Sequence, residues 1–349
     1  MVKSYLKDYQ NILVTGGAGF IGKNLIINLL NNFNSKIFNL DKLSYASDLT
    51  GINNSFSKSE LKNYKFINVD LINKKETLKS IKSSKPDLVF HLAAESHVDR
   101  SIDSPDAFIQ SNIMGTFNLL KILTDYWQEL PLPKKNIFKL IYISTDEVFG
   151  SLGNHGKFDE SSNYNPQSPY SASKAACDHL VRSWHNTYGL PVIITHCSNN
   201  FGPWQYPEKL IPLTIMNALN GSKIPLYGDG ENIRDWLFVE DHVEALTLIS
   251  KDGEIGQSYC IGANNQLTNK KLLHIICQIL QDIKPSKYNY VDLIEHVKDR
   301  PGHDFRYAIN SSKIQKKLNW KSKYNFHESL KKTIEWYIKN IEWCNKCKI

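Results

Sequence analysis

Asn11-Ile12-Leu13-Val14-Thr15-Gly16-Gly17-Ala18-Gly19-Phe20-Ile21-Gly22 is the stretch that decides the fold. A short β-branched apolar run meets a glycine-rich turn, and Leu25, Ile26, Leu29 and Leu30 then recur at helical spacing. Strand, turn and helix follow in that order. Glycines at 16, 19 and 22 permit a tight turn, close backbone approach to a pyrophosphate, and contact between helix and strand. A second apolar run, Lys36-Ile37-Phe38-Asn39-Leu40, ends in Asp41, near the offset at which an acid binds an adenosine ribose diol. Asp41 therefore argues for NAD, although Lys42 beside it leaves NADP open.

Further strands are expected at Tyr64 to Val69, Leu88 to Leu92 and Leu140 to Ile143, separated by helical stretches. This is the alternation of an α/β chain with a Rossmann-type, doubly wound parallel sheet. Ligands belong at the carboxyl ends of such strands. The polar residues at those ends are Asp70-Leu71, Ala93-Ala94-Glu95-Ser96 and Ser144-Thr145-Asp146-Glu147. We divide the chain into a dinucleotide-binding domain over 1–190, its sheet extending to about 205, and a smaller α/β substrate domain over 191–349. Loops rich in Asn, Pro and Gly mark the second part, and the chain is free to cross between the two.

Composition narrows the function. The 349 residues carry a net charge of +7, but the basic residues are dispersed, which argues against nucleic acid. No apolar run of about 18 residues appears, and MVKSYLKDYQ lacks the apolar core of a signal peptide, so neither membrane nor export is expected and the cytoplasm is the default. The six cysteines are scattered and read as reduced thiols. Cys344 and Cys347 form a C-x-x-C without partners at zinc spacing, best read as a frayed tail. His97 and His303 fit no metal motif either, and no catalytic metal is expected. Apolar residues at helical spacing in the aromatic tail, such as Ile334, Tyr337, Ile338 and Ile341, point to core packing.

Two constellations carry chemistry. Tyr170 and Lys174 in Y-x-x-x-K stand one turn apart on a helix face, where an ammonium would favour the phenolate and make a base for a hydroxyl proton. Thr145 is placed to hydrogen-bond the same hydroxyl. Asp146 and Glu147 are adjacent acids at a strand end. Consecutive strand residues point to opposite faces, so both acids reach one substrate only if the backbone leaves β geometry by Asp146. The alternative reading of Thr-Asp-Glu is a solvated loop edge or helix start.

With these residues in view, nearly the whole chain resembles the extended short-chain dehydrogenase/reductase family, and within it the nucleotide-sugar 4,6-dehydratases. The likeness rests on Ala93 through Ser101, Ser144 through Gly150, Ser168 through Lys174, Ser198 through Pro203, Pro207 through Pro212, Arg234-Asp235-Trp236, and Asp299 through Asp304. It implies oxidation of a sugar at C4, removal of the C5 proton by Glu147, protonation of the departing C6 hydroxyl by Asp146, and hydride return to C6. The implied cofactor is NAD, and the implied substrate dTDP-glucose, with UDP-glucose left open. The resemblance also implies cofactor contacts from Gly16, Gly19, Phe20, Ile21, Gly22, Asp41, Lys42, Leu43, Ser44, Asp70, Leu71, Leu92, Ala93, Ala94, Ser96, Ser111, Tyr170, Lys174 and Asn200. Ser96, Thr145, Asn199, Lys209, Leu210, Pro225, Tyr227, Arg234, Asn269, Arg300 and His303 are the implied substrate contacts.

Arg234 and Arg300 also have a case of their own. The chain has only five arginines among abundant lysines, and a diphosphate suits a forked donor, though Arg234 could instead pair with a nearby acid. Tyr227 fits base stacking or core packing equally, and Asn199 and Asn269 fit turns as well as ligands. The loop after Asp41 departs from the family pattern at Ser47-Asp48, and Phe149 and Phe201 stand where tyrosines are frequent. A 4-epimerase would share Tyr170, Lys174 and the glycines but has no use for the acid pair. A non-catalytic NAD-binding scaffold would be expected to lose one of these residues. The amphipathic stretches Phe108 to Tyr126 and Tyr170 to Trp184 fit pairing in a homodimer or burial within one chain.

Overall fold

The computed structural model describes residues 9–347, so most of the amino-terminal stretch read above for a leader lies outside the described residues. Seven parallel strands form the main sheet: β1 (Asn11–Thr15), β2 (Lys36–Asp41), β3 (Tyr64–Asn68), β4 (Leu88–His91), β5 (Lys139–Thr145), β6 (Val192–Cys197) and, after three strands of smaller sheets, β10 (Ser258–Ile261). Their spatial order is β10-β6-β5-β4-β1-β2-β3. The order reverses between β1 and β4, which opens the crevice where a doubly wound sheet binds its ligand. β1, β4, β5 and β6 are almost wholly buried because helices cover both faces, so they read as continuous apolar runs. Two of the seven strands come from beyond residue 190, so the chain leaves the sheet and returns.

The intervening strands are β7 (Asn199–Phe201), β8 (Ile224–Tyr227) and β9 (Ile233–Phe238), followed after β10 by β11 (Gln266–Thr268) and β12 (Ile294–Val297). They make a three-stranded sheet, β11-β9-β7, and a parallel pair, β12-β8. Between them and the helices Leu210–Asn220, Asn269–Ile283 and Phe326–Lys339 lies a second core built on Phe201, Ile215, Trp236, Leu272, Ile276 and Leu330. The tail is not frayed: Ile334, Tyr337 and Cys344 are buried in this core, with Ile338 and Ile341 packed against it. Apolar packing fixes that segment, and the cysteines are free thiols. Among the described residues no group of His, Cys, Asp or Glu is arranged to hold a metal ion, and no helix is long and apolar enough to cross a membrane.

Candidate active site

The glycine turn closes between β1 and the helix Phe20–Asn32. Gly16 adopts φ +70°, and a Cβ there would stand 2.6 Å from the Ala93 amide nitrogen. A Cβ on Gly22 would lie 2.3 Å from the Gly16 carbonyl oxygen. Both positions exclude a side chain, which leaves backbone amides and the helix start open to a pyrophosphate. Asp41, at the end of β2, accepts from the Ala18 amide at 3.0 Å and the Leu43 amide at 2.8 Å. Those bonds fix the carboxylate at the cleft edge while burial pushes its pKa upward. Lys42 is engaged by Glu95 at 3.2 Å and Asp70 at 3.9 Å. Its ammonium is therefore neutralised where a 2′-phosphate would need it.

One cleft, running from this turn to the ends of β5 and β6, is lined by Gly16, Gly19, Phe20, Ile21, Gly22, Asp41, Lys42, Ser44, Asp70, Leu71, Leu92, Ala93, Ala94, Ser96, Ser111, Thr145, Tyr170, Lys174 and Asn200. Leu43 does not line it. Its backbone is left-handed, at φ +54°, and its contribution is the amide that steadies Asp41. The sequence reading did not single out Tyr45 and Glu208, which line the cleft and bond each other at 2.7 Å. The sequence signal for Glu208 is its place inside Pro207-Glu208-Lys209, next to the lysine of the implied substrate contacts.

The redox pair sits on the helix Pro169–Tyr188, started by a Ser168–Ser171 capping box with Pro169 in its first turn. Lys174 is buried, donates to the Ile143 carbonyl at 2.8 Å and lies over the Tyr142 ring at 4.4 Å. Burial lowers its pKa. The expected depression of the Tyr170 pKa by Lys174 does not appear. Burial, then Glu147, Cys197 and Asp146, push the phenol well above the usual range, and the Thr145 hydroxyl against it pulls back. Desolvation and like charge outweigh the ammonium here.

At Thr145 the chain leaves β5 and winds into a 3-10 turn over Asp146–Phe149, with the Thr145 hydroxyl capping the Glu147 amide at 3.3 Å. This turn meets the geometric demand that adjacent acids share one cleft: Asp146 and Glu147 both line it. Their environments differ. Asp146 is 1% exposed and its Oδ2 has no hydrogen-bond partner; burial, then Glu147 and Asp235, drive its pKa far up. Glu147 is also raised by burial, but Arg300, Arg234 and Lys209 draw it back. The acid beside the sheet is thus held protonated more strongly than the one facing the cations.

A second cleft continues from Glu147 and is lined by Ser96, Asn199, Lys209, Leu210, Pro225, Tyr227, Arg234, Asn269, Arg300 and His303. Three cations converge there. Lys209 donates to the Ser96 carbonyl at 3.0 Å, and Arg300 pairs with Asp99 at 3.2 Å. Among the described residues Arg234 forms no ion pair. Its guanidinium bonds the carbonyls of Ile233 at 2.8 Å and Asp304 at 3.0 Å, and it stacks on Tyr307 at 4.4 Å. His303 bonds Asp299 at 2.7 Å, and its pKa is lowered to about 4, chiefly by burial. Asn199 Oδ1, Asn269 Oδ1 and Arg300 Nε are buried without partners, and all three residues face the cleft. Unsatisfied buried polar atoms at one surface indicate a missing polar ligand.

The doubly wound sheet and this site define an enzyme of the extended short-chain dehydrogenase/reductase class. The chain belongs to the GDP-mannose 4,6 dehydratase family, whose model matches residues 13–333. It is 49% identical over 334 residues to a probable dTDP-glucose 4,6-dehydratase of Sinorhizobium fredii, covering 96% of this chain and 94% of the relative. A crystal structure of dTDP-glucose 4,6-dehydratase from Bacillus anthracis in complex with NAD matches with TM-score 0.84 and 42% identity, over 97% of this chain and 100% of that one. A dTDP-glucose 4,6-dehydratase from Streptomyces venezuelae with NAD and TYD bound matches with TM-score 0.87 and 37% identity, over 97% and 99%.

Proposed function

We propose that this chain is a dTDP-glucose 4,6-dehydratase that uses NAD, and that it converts its substrate to dTDP-4-keto-6-deoxyglucose for deoxysugar synthesis. The observation that carries the reading is the acid pair: Asp146 and Glu147 face one cleft together with Tyr170 and Lys174. A 4-epimerase has no task for two acids, and no residue required of an active enzyme is missing, which disfavours a scaffold. Bound along the glycine turn, NAD supplies first a hydride acceptor and then a hydride donor.

The chain's own residues handle protons and position. Tyr170 takes the C4 hydroxyl proton, assisted by Thr145 and with Lys174 fixed beneath it by the Ile143 carbonyl. The C4 ketone acidifies C5, and Glu147 removes that proton. Asp146, held neutral by burial, protonates the C6 hydroxyl so that it leaves as water. Glu147 then returns its proton to C5. Arg234, Arg300 and Lys209 hold the diphosphate, Asn199 and Asn269 fill their open acceptor positions with ligand donors, and Leu210, Pro225, Tyr227 and His303 enclose the base end. Asp41 binds the adenosine ribose, with Ser44, Asp70, Leu71 and Ser111 around the adenosine and Leu92, Ala93, Ala94 and Asn200 along the rest of the cofactor.

The free thiols suit the cytoplasm. Two copies pair through the stretches Phe108 to Tyr126 and Tyr170 to Trp184, where Ile109 and Met114 leave apolar surface exposed, with exposed Tyr188 just beyond. Incubation of the purified protein with dTDP-glucose and, separately, UDP-glucose tests the reading, with products identified by mass and NMR. A keto sugar lighter by one water from dTDP-glucose is the expected result. An isomer of the substrate would indicate epimerisation, and faster dehydration of UDP-glucose would reassign the nucleotide.

A further inference from the structure

The proposed reaction leaves the protein with its protons in the wrong places. For that reaction to begin, Tyr170 must enter it as the phenolate and Asp146 as the neutral acid. The C4 hydroxyl proton moves to Tyr170 and stays there, because the product keeps its ketone. The proton of Asp146 departs in the water molecule. Glu147 accepts one proton and returns it. Each turnover therefore ends with a neutral phenol, an Asp146 carboxylate and no net change elsewhere, and the next cycle requires one proton to pass from Tyr170 to Asp146.

The geometry at the end of β5 supplies a path. Thr145 Oγ1 donates to Asp146 Oδ1 at 3.5 Å and accepts from the Glu147 amide at 3.3 Å, and it lines the cleft with Tyr170, whose phenol its hydroxyl stabilises as the anion. A threonine hydroxyl has one proton to give and two lone pairs. Those capacities match one acceptor, Asp146, and two donors, the amide and the phenol. Asp146 is 1% exposed and, among the described residues, its other oxygen has no partner, so Thr145 is the side chain that its carboxyl bonds within the protein. Tyr170 is 8% exposed. Mutual repulsion in this buried setting also disfavours two anions side by side.

We infer that Thr145 resets the enzyme between turnovers by relaying a proton from Tyr170 to Asp146. The Tyr170 O–H bond breaks as its proton reaches Thr145 Oγ1, and the Thr145 proton passes to Asp146 Oδ1. Thr145 ends unchanged, Tyr170 becomes the phenolate and Asp146 the neutral acid, with total charge conserved. The relay rests on the dehydratase reading, and it gives Thr145 a task beyond assisting Tyr170 in the first step.

The test compares the first turnover with the steady state in rapid-quench experiments on the NAD-loaded enzyme with dTDP-glucose. Wild type should show no burst. Thr145→Val, close in shape but without the hydroxyl, should form one product per site and then continue about tenfold more slowly than its own first turnover. Thr145→Ser should remove that burst. A second readout is the infrared C=O stretch of the protonated Asp146 carboxyl, assigned with Asp146→Asn: in Thr145→Val it should vanish after one turnover and recover at the slow steady-state rate. If Thr145→Val slows both phases equally, or its carboxyl band recovers as fast as in wild type, Thr145 only orients Tyr170 and the relay is wrong. A wild-type enzyme that forms no dehydrated product in its first turnover would instead defeat the dehydratase reading itself.

Discussion

The two halves of the cleft are built on opposite plans. The half reaching from the glycine turn to Tyr170 lies on a regular parallel sheet, and most of its polar groups sit at strand ends or helix starts. The half reaching from Glu147 to His303 is assembled from loops and short strands between residues 96 and 307. Asp41, Asp70, Glu95 and Asp146 line the first, beside Lys42 and Lys174, whereas both arginines, Arg234 and Arg300, face only the second, where Lys209 joins them from the border. Glu147 lines both, and its pKa records the boundary: burial raises it and the three cations oppose that rise. The difference separates chemistry from recognition. In the proposed reaction the groups that move protons lie in the buried strand-end half, and the groups that hold the charged ligand lie where the cations converge.

The sharpest way to break this division is at the boundary. Glu147→Gln keeps the shape but cannot take the C5 proton, so dehydration should fall by about a thousandfold. C4 oxidation should survive, and reduced cofactor should accumulate in absorbance at a rate close to wild type. Undiminished dehydration would remove Glu147 from the chemistry. Arg300→Ala probes the recognition half. It should raise KM about a hundredfold, about 2.7 kcal/mol, with kcat unchanged, since the contact is made equally by ground and transition states. A fall in kcat with constant KM would place Arg300 among the chemical groups instead.

Stability offers a third comparison. His91, under the redox half, is bonded on both ring nitrogens by Thr15 at 2.6 Å and Thr116 at 2.9 Å. His242 bonds Asn200 at 2.8 Å and leaves Nε2 without a partner. Burial lowers both pKa values from 6.5 to about 3. The folded chain therefore binds fewer protons than the unfolded chain, and stability rises with pH. This contribution is complete above 6.5 and is lost as pH falls toward 3. Each histidine should cost about 1 kcal/mol over the first pH unit below 6.5. Thermal melts from pH 7 to 5 should show these histidines lowering Tm as pH falls, and His242→Asn should make that fall shallower than in wild type.

The same contrast explains what could be read from the chain. Gly16 through Gly22, Asp41 and the Tyr170/Lys174 pair were legible because their chemistry depends on neighbours within one turn or one strand. The acid pair was legible only with a geometric condition attached, and the 3-10 turn at Asp146–Phe149 meets it. Arg234 was legible as a scarce arginine, but its setting was not. The carbonyls of Asp304 and Phe305 and the ring of Tyr307 that hold it come from some 70 residues away, and no local pattern announces them. The effect of Lys174 on Tyr170 was misjudged for the same kind of reason, since burial arises from the whole fold.

The smallest effect tests whether cofactor choice belongs to the rigid half alone. Asp41 is buried and fixed by two amides, and its carboxylate would repel a 2′-phosphate. Lys42 is about one-third exposed and paired with Glu95 and Asp70, so it has little free charge to offer that phosphate. Glu95→Gln releases one of the two partners. Because an exposed ion pair contributes only about 0.2–1 kcal/mol, preference for NAD over NADP should weaken by no more than about fivefold in binding titrations. Asp41→Asn should weaken it more. If Glu95→Gln instead reverses the preference, the choice lies in a mobile surface network and not in the strand end, and the rigid half would decide less than its construction suggests.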